Sequence, residues 1–230
     1  MRVRIKFTKN GALKFIGHLD VMRFFQKVLR RAGIDVAYSE GFSPHMLMSF
    51  AQPLGVCVTS EGEYFDLDLK SAMPSKTMLA LINEQMPPEM SVTEIVKIPE
   101  DKANKCMTLV AAADYVIRFK EEKLFQEQKK NLEDFFAQKE IVVLKKTKRS
   151  EQMMDIRPLI YEAEIGEESI SLKLSSGSVN NVKPRLLMDA FCEWAKLDPA
   201  AFGIEVHRKE LYARVEEEFI PLYKLGEEIY

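Results

Sequence analysis

Residues 14–55, KFIGHLDVMRFFQKVLRRAGIDVAYSEGFSPHMLMSFAQPLG, bring together two of the three histidines, a block of cations and two aromatic residues beside a turn. Each residue type suggests a chemistry. His18 or His45 could serve as a general base, for instance on a ribose 2′-hydroxyl. Lys14, Arg23, Lys27, Arg30 and Arg31 could contact phosphates while Tyr38 and Phe42 stack unpaired bases, the combination found in single-stranded nucleic-acid sites. Plainer roles compete with these. A single histidine can simply titrate in solvent near neutrality, and Tyr38 and Phe42 would fit a core equally well. Asp20 is explained by the positive end of a helix dipole alone.

The element that must position these groups is a helix. From Gly17 onward, Val21, Phe25, Val28 and Ala32 recur at helical spacing on one face, leaving Arg23, Lys27, Arg30 and Arg31 on the other. Gly33 is a natural terminator, and Gly41 with Pro44 marks a turn in Tyr38-Ser-Glu-Gly-Phe-Ser-Pro-His45. Residues 1–50 hold nine Lys or Arg against three Asp or Glu, in a chain whose formal net charge is −2. That asymmetry points to a partner carrying phosphate.

Further along, LKKTKRS (144–150) forms another basic run. Asp155 and Arg157, two apart on an expected strand, share a face and could line a groove or pair with each other. Ser175-Ser-Gly-Ser178 ahead of Lys183-Pro184 offers backbone amides and a cation to an anion. Arg157 and Lys183 therefore join the candidate nucleic-acid contacts.

The periodicity gives strand, helix, strand, strand, helix, strand over the first hundred residues. Strand 2–9 turns Val3, Ile5 and Phe7 inward and Arg4 and Lys6 outward; residues 64–69 alternate likewise. Ser75 is expected to cap a helix burying Met78, Leu79, Ile82 and Met86, stopped by Pro87-Pro88. A second round follows: strand 107–120, helix 122–138 burying Phe125, Leu132, Phe135 and Phe136, strand 141–146, a pair over 154–165 and 169–174, a helix from Pro184 with Leu187, Phe191 and Trp194 inward, and strand 203–212. Two βαββαβ rounds predict an α+β chain of tandem ferredoxin-like split βαβ sandwiches. The expected boundaries are 1–102, 103–212 and an acidic C-terminal tail, 213–230.

Composition excludes several classes. At 230 residues, 47% hydrophobic and 30% charged, the chain has the make-up of a globular protein. No run of about 18 apolar residues could span a membrane, and MRVRIKFTKNG lacks the apolar core of a signal peptide, so a cytoplasmic location is expected. Cys57, Cys106 and Cys192 are few and widely spaced, as in a reducing compartment, and are expected to act as small hydrophobes. No histidine, cysteine or carboxylate set has metal-ligand spacing, and neither a phosphate-binding loop nor a dinucleotide fingerprint occurs; no metal and no cofactor is expected.

The block from Phe15 to Leu69, with Gly17-His18-Leu19-Asp20 and Ser43-Pro44-His45-Met46, resembles the radical-SAM-linked domain of unknown function, a family found fused after or encoded beside a cobalamin-type radical SAM protein. The likeness returns at Asp155-Ile-Arg157-Pro158 and over 178–187. Family members usually read Ser-His-Leu-Asp and Asn-Pro-His-Pro at the two motifs; His18 and His45 survive both departures. The resemblance implies a separate radical SAM protein as partner, because this chain has neither a CxxxCxxC cluster motif nor a cobalamin-binding Asp-x-His-x-x-Gly. It implies an accessory, substrate-presenting subunit, not catalytic on its own, and the basic helix and aromatics add RNA, either tRNA or rRNA, as its substrate. Two alternatives stand beside this. One is a subunit that recognises only its protein partner, the other a metal-independent endoribonuclease resembling CRISPR repeat nucleases, with His18 or His45 as catalytic base.

Overall fold

The computed structural model describes residues 1–146, 151–199 and 203–230. Contacts divide the chain into two units, Met1–Ala112 with Arg208–Tyr230, and Ala113–His207.

In the first unit, β1 (Arg2–Lys9) leads through a 3-10 turn into α1 (His18–Arg31), then β2 (Met48–Phe50), β3 (Val58–Asp68), α2 (Ser75–Asn83), β4 (Val92–Ile98) and the single turn α3 (Cys106–Leu109). β1 lies between β4 and β3, and β2 pairs with β3, all antiparallel, which is the order of a split βαβ sandwich. Val3, Ile5 and Phe7 of β1 are buried with Val21, Phe25 and Val28 of α1 and Ala32 at its C-cap, the expected apolar face, and Leu29 joins them. Each such side chain contributes about 1.5–3 kcal/mol on burial. Phe7, Phe25 and Phe65 meet at 4.7–5.8 Å between ring centroids, and Phe50 closes the cluster 5.2 Å from Phe65.

The opposite face of β1 departs from the expectation. Arg4 does not face solvent but is 1% exposed, because its cross-strand partner is Asp66 and residues near 104 and 222 cover the pair. Alternation thus marks two buried faces, one apolar and one ionic. Ser75 is no side-chain cap either. It is the first helical residue after Pro74, and its backbone N–H donates to the Ile229 carbonyl while its hydroxyl accepts the Ile229 N–H.

The second unit runs from β5 (Val110–Phe119) through α4 (Glu122–Phe136), β6 (Val142–Lys146), β7 (Glu151–Asp155), β8 (Ile160–Ile165), β9 (Ile170–Ser175) and α5 (Pro184–Trp194) to β10 (Ile204–Val215). Its strands order as β10-β5-β9-β8, again the split βαβ arrangement, with β6 and β7 inserted as a separate hairpin. The strand expected over 154–165 is broken in two. Pro158 lacks a donor, and a 3-10 turn over Arg157–Leu159 separates β7 from β8. Phe125, Leu132, Phe135 and Phe136 are buried as expected, whereas Trp194 remains 42% exposed. The mixed strands and helices make the chain α+β.

β10 begins in the second unit and ends in the first. There Tyr212–Val215 pair with β11 (Glu218–Pro221), Leu222 is fully buried, and Glu227 exchanges backbone hydrogen bonds with Lys97. Residues 213–230, expected as an acidic tail, are thus held on the first unit, because Leu222 and Ile229 supply apolar anchors between the glutamates.

Candidate functional site

The polar face of α1 carries Arg23, Lys27, Arg30 and Arg31, all exposed. Their neutralisation is slight. Asp20 lies 3.5 Å from Arg23 across an exposed i,i+3 pair worth little, and the Arg30 guanidinium donates to the Gln26 carbonyl at 3.0 Å. Lys14 sits in the preceding turn, half-buried, its ammonium 5.5 Å from the Phe15 ring centre. The cations of β1 behave differently. Arg2 pairs with Asp68 at 2.6 Å, Arg4 with Asp66 at 2.9 Å and Lys6 with Glu210 at 2.6 Å. The excess of positive charge in residues 1–50 is therefore spent in part on pairs with strands distant in sequence, and what reaches the surface is concentrated on α1.

A hairpin arm carries the aromatic residues. Tyr38 bridges to Met46, the Ser39 N–H donates to the His45 carbonyl, and Gly41 takes a φ of +102°, a conformation glycine adopts without strain. The Ser39 hydroxyl accepts the His45 N–H at 3.1 Å and lies 2.8 Å from His45 Nδ1. Phe42 stands fully exposed at the tip, and Tyr38 is 41% exposed. Neither is a core residue.

The histidines occupy separate cavities. His45 lines one with Arg2, Met46, Ser49, Asp66, Asp68 and Lys105. His18 lines another with Phe7, Lys9, Val21, Phe50, Pro53, Leu54 and Glu63. The His18 ring stands edge-on to Phe50 at 4.8 Å, and burial holds its pKa below the usual 6.5 against the pull of Glu63. Beside it Lys9 is 2% exposed, its ammonium donating to the Ile16 carbonyl at 2.9 Å and its pKa lowered mainly by burial. Glu63 is clamped by both Nε and Nη2 of Arg208, which also donates to the Gln52 carbonyl. His207 lies on β10 in the second unit. Among the described residues, no group of three or more His, Cys, Asp and Glu side chains is placed to hold a metal ion.

Sequence reasoning missed the buried charges. Arg4 and Asp66 form a bidentate pair, and the second Asp66 oxygen also accepts the Cys106 N–H at 2.6 Å. Burial, with that carboxylate close by, pushes the Cys106 thiol well above its usual range. Glu210 accepts from Lys6 and from the Tyr64 hydroxyl at 2.6 Å, and burial beside that carboxylate drives the Tyr64 phenol upward. A signal did exist: Arg2, Arg4 and Lys6 on alternate positions of one strand, and Asp66 and Asp68 on alternate positions of another. Cys57, expected to be buried, is exposed at a φ of +68°.

In the second unit the expected Asp155–Arg157 pair or groove is replaced by backbone capping. One Asp155 oxygen accepts the Ile141 and Arg157 N–H groups, while the Arg157 guanidinium donates to the carbonyls of Gln138 and Ile160. The 3-10 turn at Pro158 takes Arg157 off the strand, so the two side chains no longer share a face. Lys183 is exposed at the start of α5; Ser176 is buried, its hydroxyl without a hydrogen-bond partner among the described residues. The last four residues of the basic run 144–150, residues 147–150, lie outside the described residues. No described helix is long and apolar enough to cross a membrane.

Fold and site together define an α+β protein of two split-βαβ units, the first with a cationic helix, an exposed aromatic loop and two small cavities, each lined by a histidine. The chain belongs to the family described as uncharacterized protein conserved in bacteria (DUF2344), whose profile matches residues 2–184. No curated protein matches it significantly. Solved structures that it is similar to include a Cbf5-Nop10-Gar1 complex, with 11% identity, a TM-score of 0.48, and coverage of 91% of this chain and 48% of that one. The archaeal box H/ACA sRNP Nop10-Cbf5 complex gives 10%, 0.36, 90% and 46% in the same order. An unknown protein from Galdieria sulphuraria gives 9%, 0.26, 93% and 98%. The chain spans about half the length of the first two chains, and likeness at this level carries no statement about what it binds.

Proposed function

We propose that the chain is an accessory, substrate-presenting subunit that binds RNA, tRNA or rRNA, for a separate cobalamin-type radical SAM protein. The observation that carries the RNA part is the exposure of Arg23, Lys27, Arg30 and Arg31 on one helix, together with the fully exposed Phe42 on the loop that follows. Cations neutralise phosphates, and an aromatic face held in water is available to an unstacked base. The protein partner rests on the resemblance of the Gly17–Asp20 and Ser43–Met46 motifs. Catalysis by this chain alone is the poorer reading, since His18 and His45 line different cavities and do not form a pair.

The test is binding of fluorescent single-stranded RNA and of tRNA across a salt series, wild type against Arg23→Ala/Arg30→Ala. For single strands the logarithm of affinity falls with that of salt by about 0.7 per phosphate neutralised, so the double variant should flatten the slope by about 1.4. No binding at low salt, or an unchanged slope in the variant, overturns the RNA reading. Copurification with the radical SAM protein that persists after nuclease treatment tests the partner separately.

A further inference from the structure

We infer that the cavity between β1, the start of α1 and β3 is a binding site for an anionic oxygen group, a carboxylate or a phosphate, received by Lys9 and His18. The charges surrounding it do not balance. Glu63 is committed to Arg208 through two hydrogen bonds, so this pair is internally neutral. That leaves the Lys9 ammonium, 2% exposed, attracted by Glu63 and repelled by Arg208 but in no ion pair of its own among the described residues. An ammonium has three donors, and the Ile16 carbonyl takes one. A buried cation so poorly compensated is costly and is ordinarily neutralised or paired.

The surroundings suit an anion. Lys9 and His18 both line the cavity, and the His18 ring nitrogens make no hydrogen bond among the described residues. His18 is the first residue of α1, whose N-cap Gly17 offers no side chain to the first-turn amides, while Asp20 in that turn offsets part of the positive end of the dipole. Phe7, Val21, Phe50, Pro53 and Leu54 make most of the remaining wall apolar, which strengthens any charge pair formed inside, and the one carboxylate that also lines it, Glu63, is held by Arg208. The space admits little more than one water-sized group, so the ligand enters by a terminal oxygen group while its body stays outside. This inference stands apart from RNA binding, since it rests on β1 and β3 and not on the outer face of α1.

The experiment follows the His18 imidazole C–H resonances of the full chain while sodium phosphate, or separately sodium acetate, replaces sodium chloride at constant ionic strength. A saturable shift is expected with at least one of them, and its loss in Lys9→Met. Response to phosphate alone identifies a phosphate group, response to acetate a carboxylate. Lys9→Met should also unfold at higher temperature than wild type, because the uncompensated charge is gone. The inference is overturned if His18 shows no saturable response, or if the response survives in a folded Lys9→Met or Lys9→Gln. Should neither variant fold, the wild-type titration decides it.

Discussion

At the residue scale the first unit is governed by charges paired out of water. Arg4 and Asp66 each also serve a second group, the Leu222 and Asn104 carbonyls and the Cys106 N–H respectively. Removing one member leaves the other buried and unpaired, so Asp66→Ala should cost about 3–5 kcal/mol by urea unfolding. Replacing both by apolar residues should recover much of that loss. His18 gives a pH dependence of known sign. Its folded pKa lies below the ordinary 6.5 because burial disfavours the charged ring. The unfolded chain takes up the proton first, so stability is fully present above 6.5 and falls as pH drops towards the folded value. His18→Gln should remove that part of the acid sensitivity, read from unfolding midpoints between pH 7 and pH 5. The paired charges were only half legible in sequence, because strand alternation names a face without saying what covers it.

At the element scale, α1 shows how local pattern and tertiary context divide the work. Its apolar stripe and basic face follow from spacing alone, and Val21, Phe25, Val28 and Ala32 are buried as that spacing requires. The loop after it was not decidable in the same way. Tyr38 and Phe42 have core-like chemistry, and only the bridge from Tyr38 to Met46 and the Ser39–His45 contacts turn them outward. Because Phe42 touches little, Phe42→Ala should change stability by less than about 0.5 kcal/mol. On the RNA reading it should weaken binding by about 1–3 kcal/mol, the worth of one stacked base, measured on the same salt series. Equal loss of stability and affinity would instead mean the loop is structural. The strand expected over 141–146 pairs with β7 in a separate hairpin and not with the main sheet, since strand periodicity is blind to partner choice, and Pro158 is the local sign that the run expected over 154–165 must break.

At the scale of the whole molecule, the chain end completes the first unit. β11, the buried Leu222 and the contacts of Glu227 and Ile229 put residues 218–230 on the unit that begins at Met1. Truncation after Glu217 should therefore lower the unfolding midpoint of the first unit and expose Arg4. An unchanged melting profile by circular dichroism would contradict this. The acidic count of 213–230 hid the anchoring, because composition weighs five glutamates above two well-placed apolar residues. Sequence by itself determined the α+β class, the two rounds of split βαβ, the apolar face of α1 and the cations opposite it, since each depends on periodicity within one element. Tertiary structure alone decided which cations are neutralised, that His18 and His45 part company, and that Lys9 lies buried beside a carboxylate already engaged. Those outcomes depend on residues up to about two hundred positions apart, such as Arg4 and Leu222 or Lys6 and Glu210, which no local pattern connects.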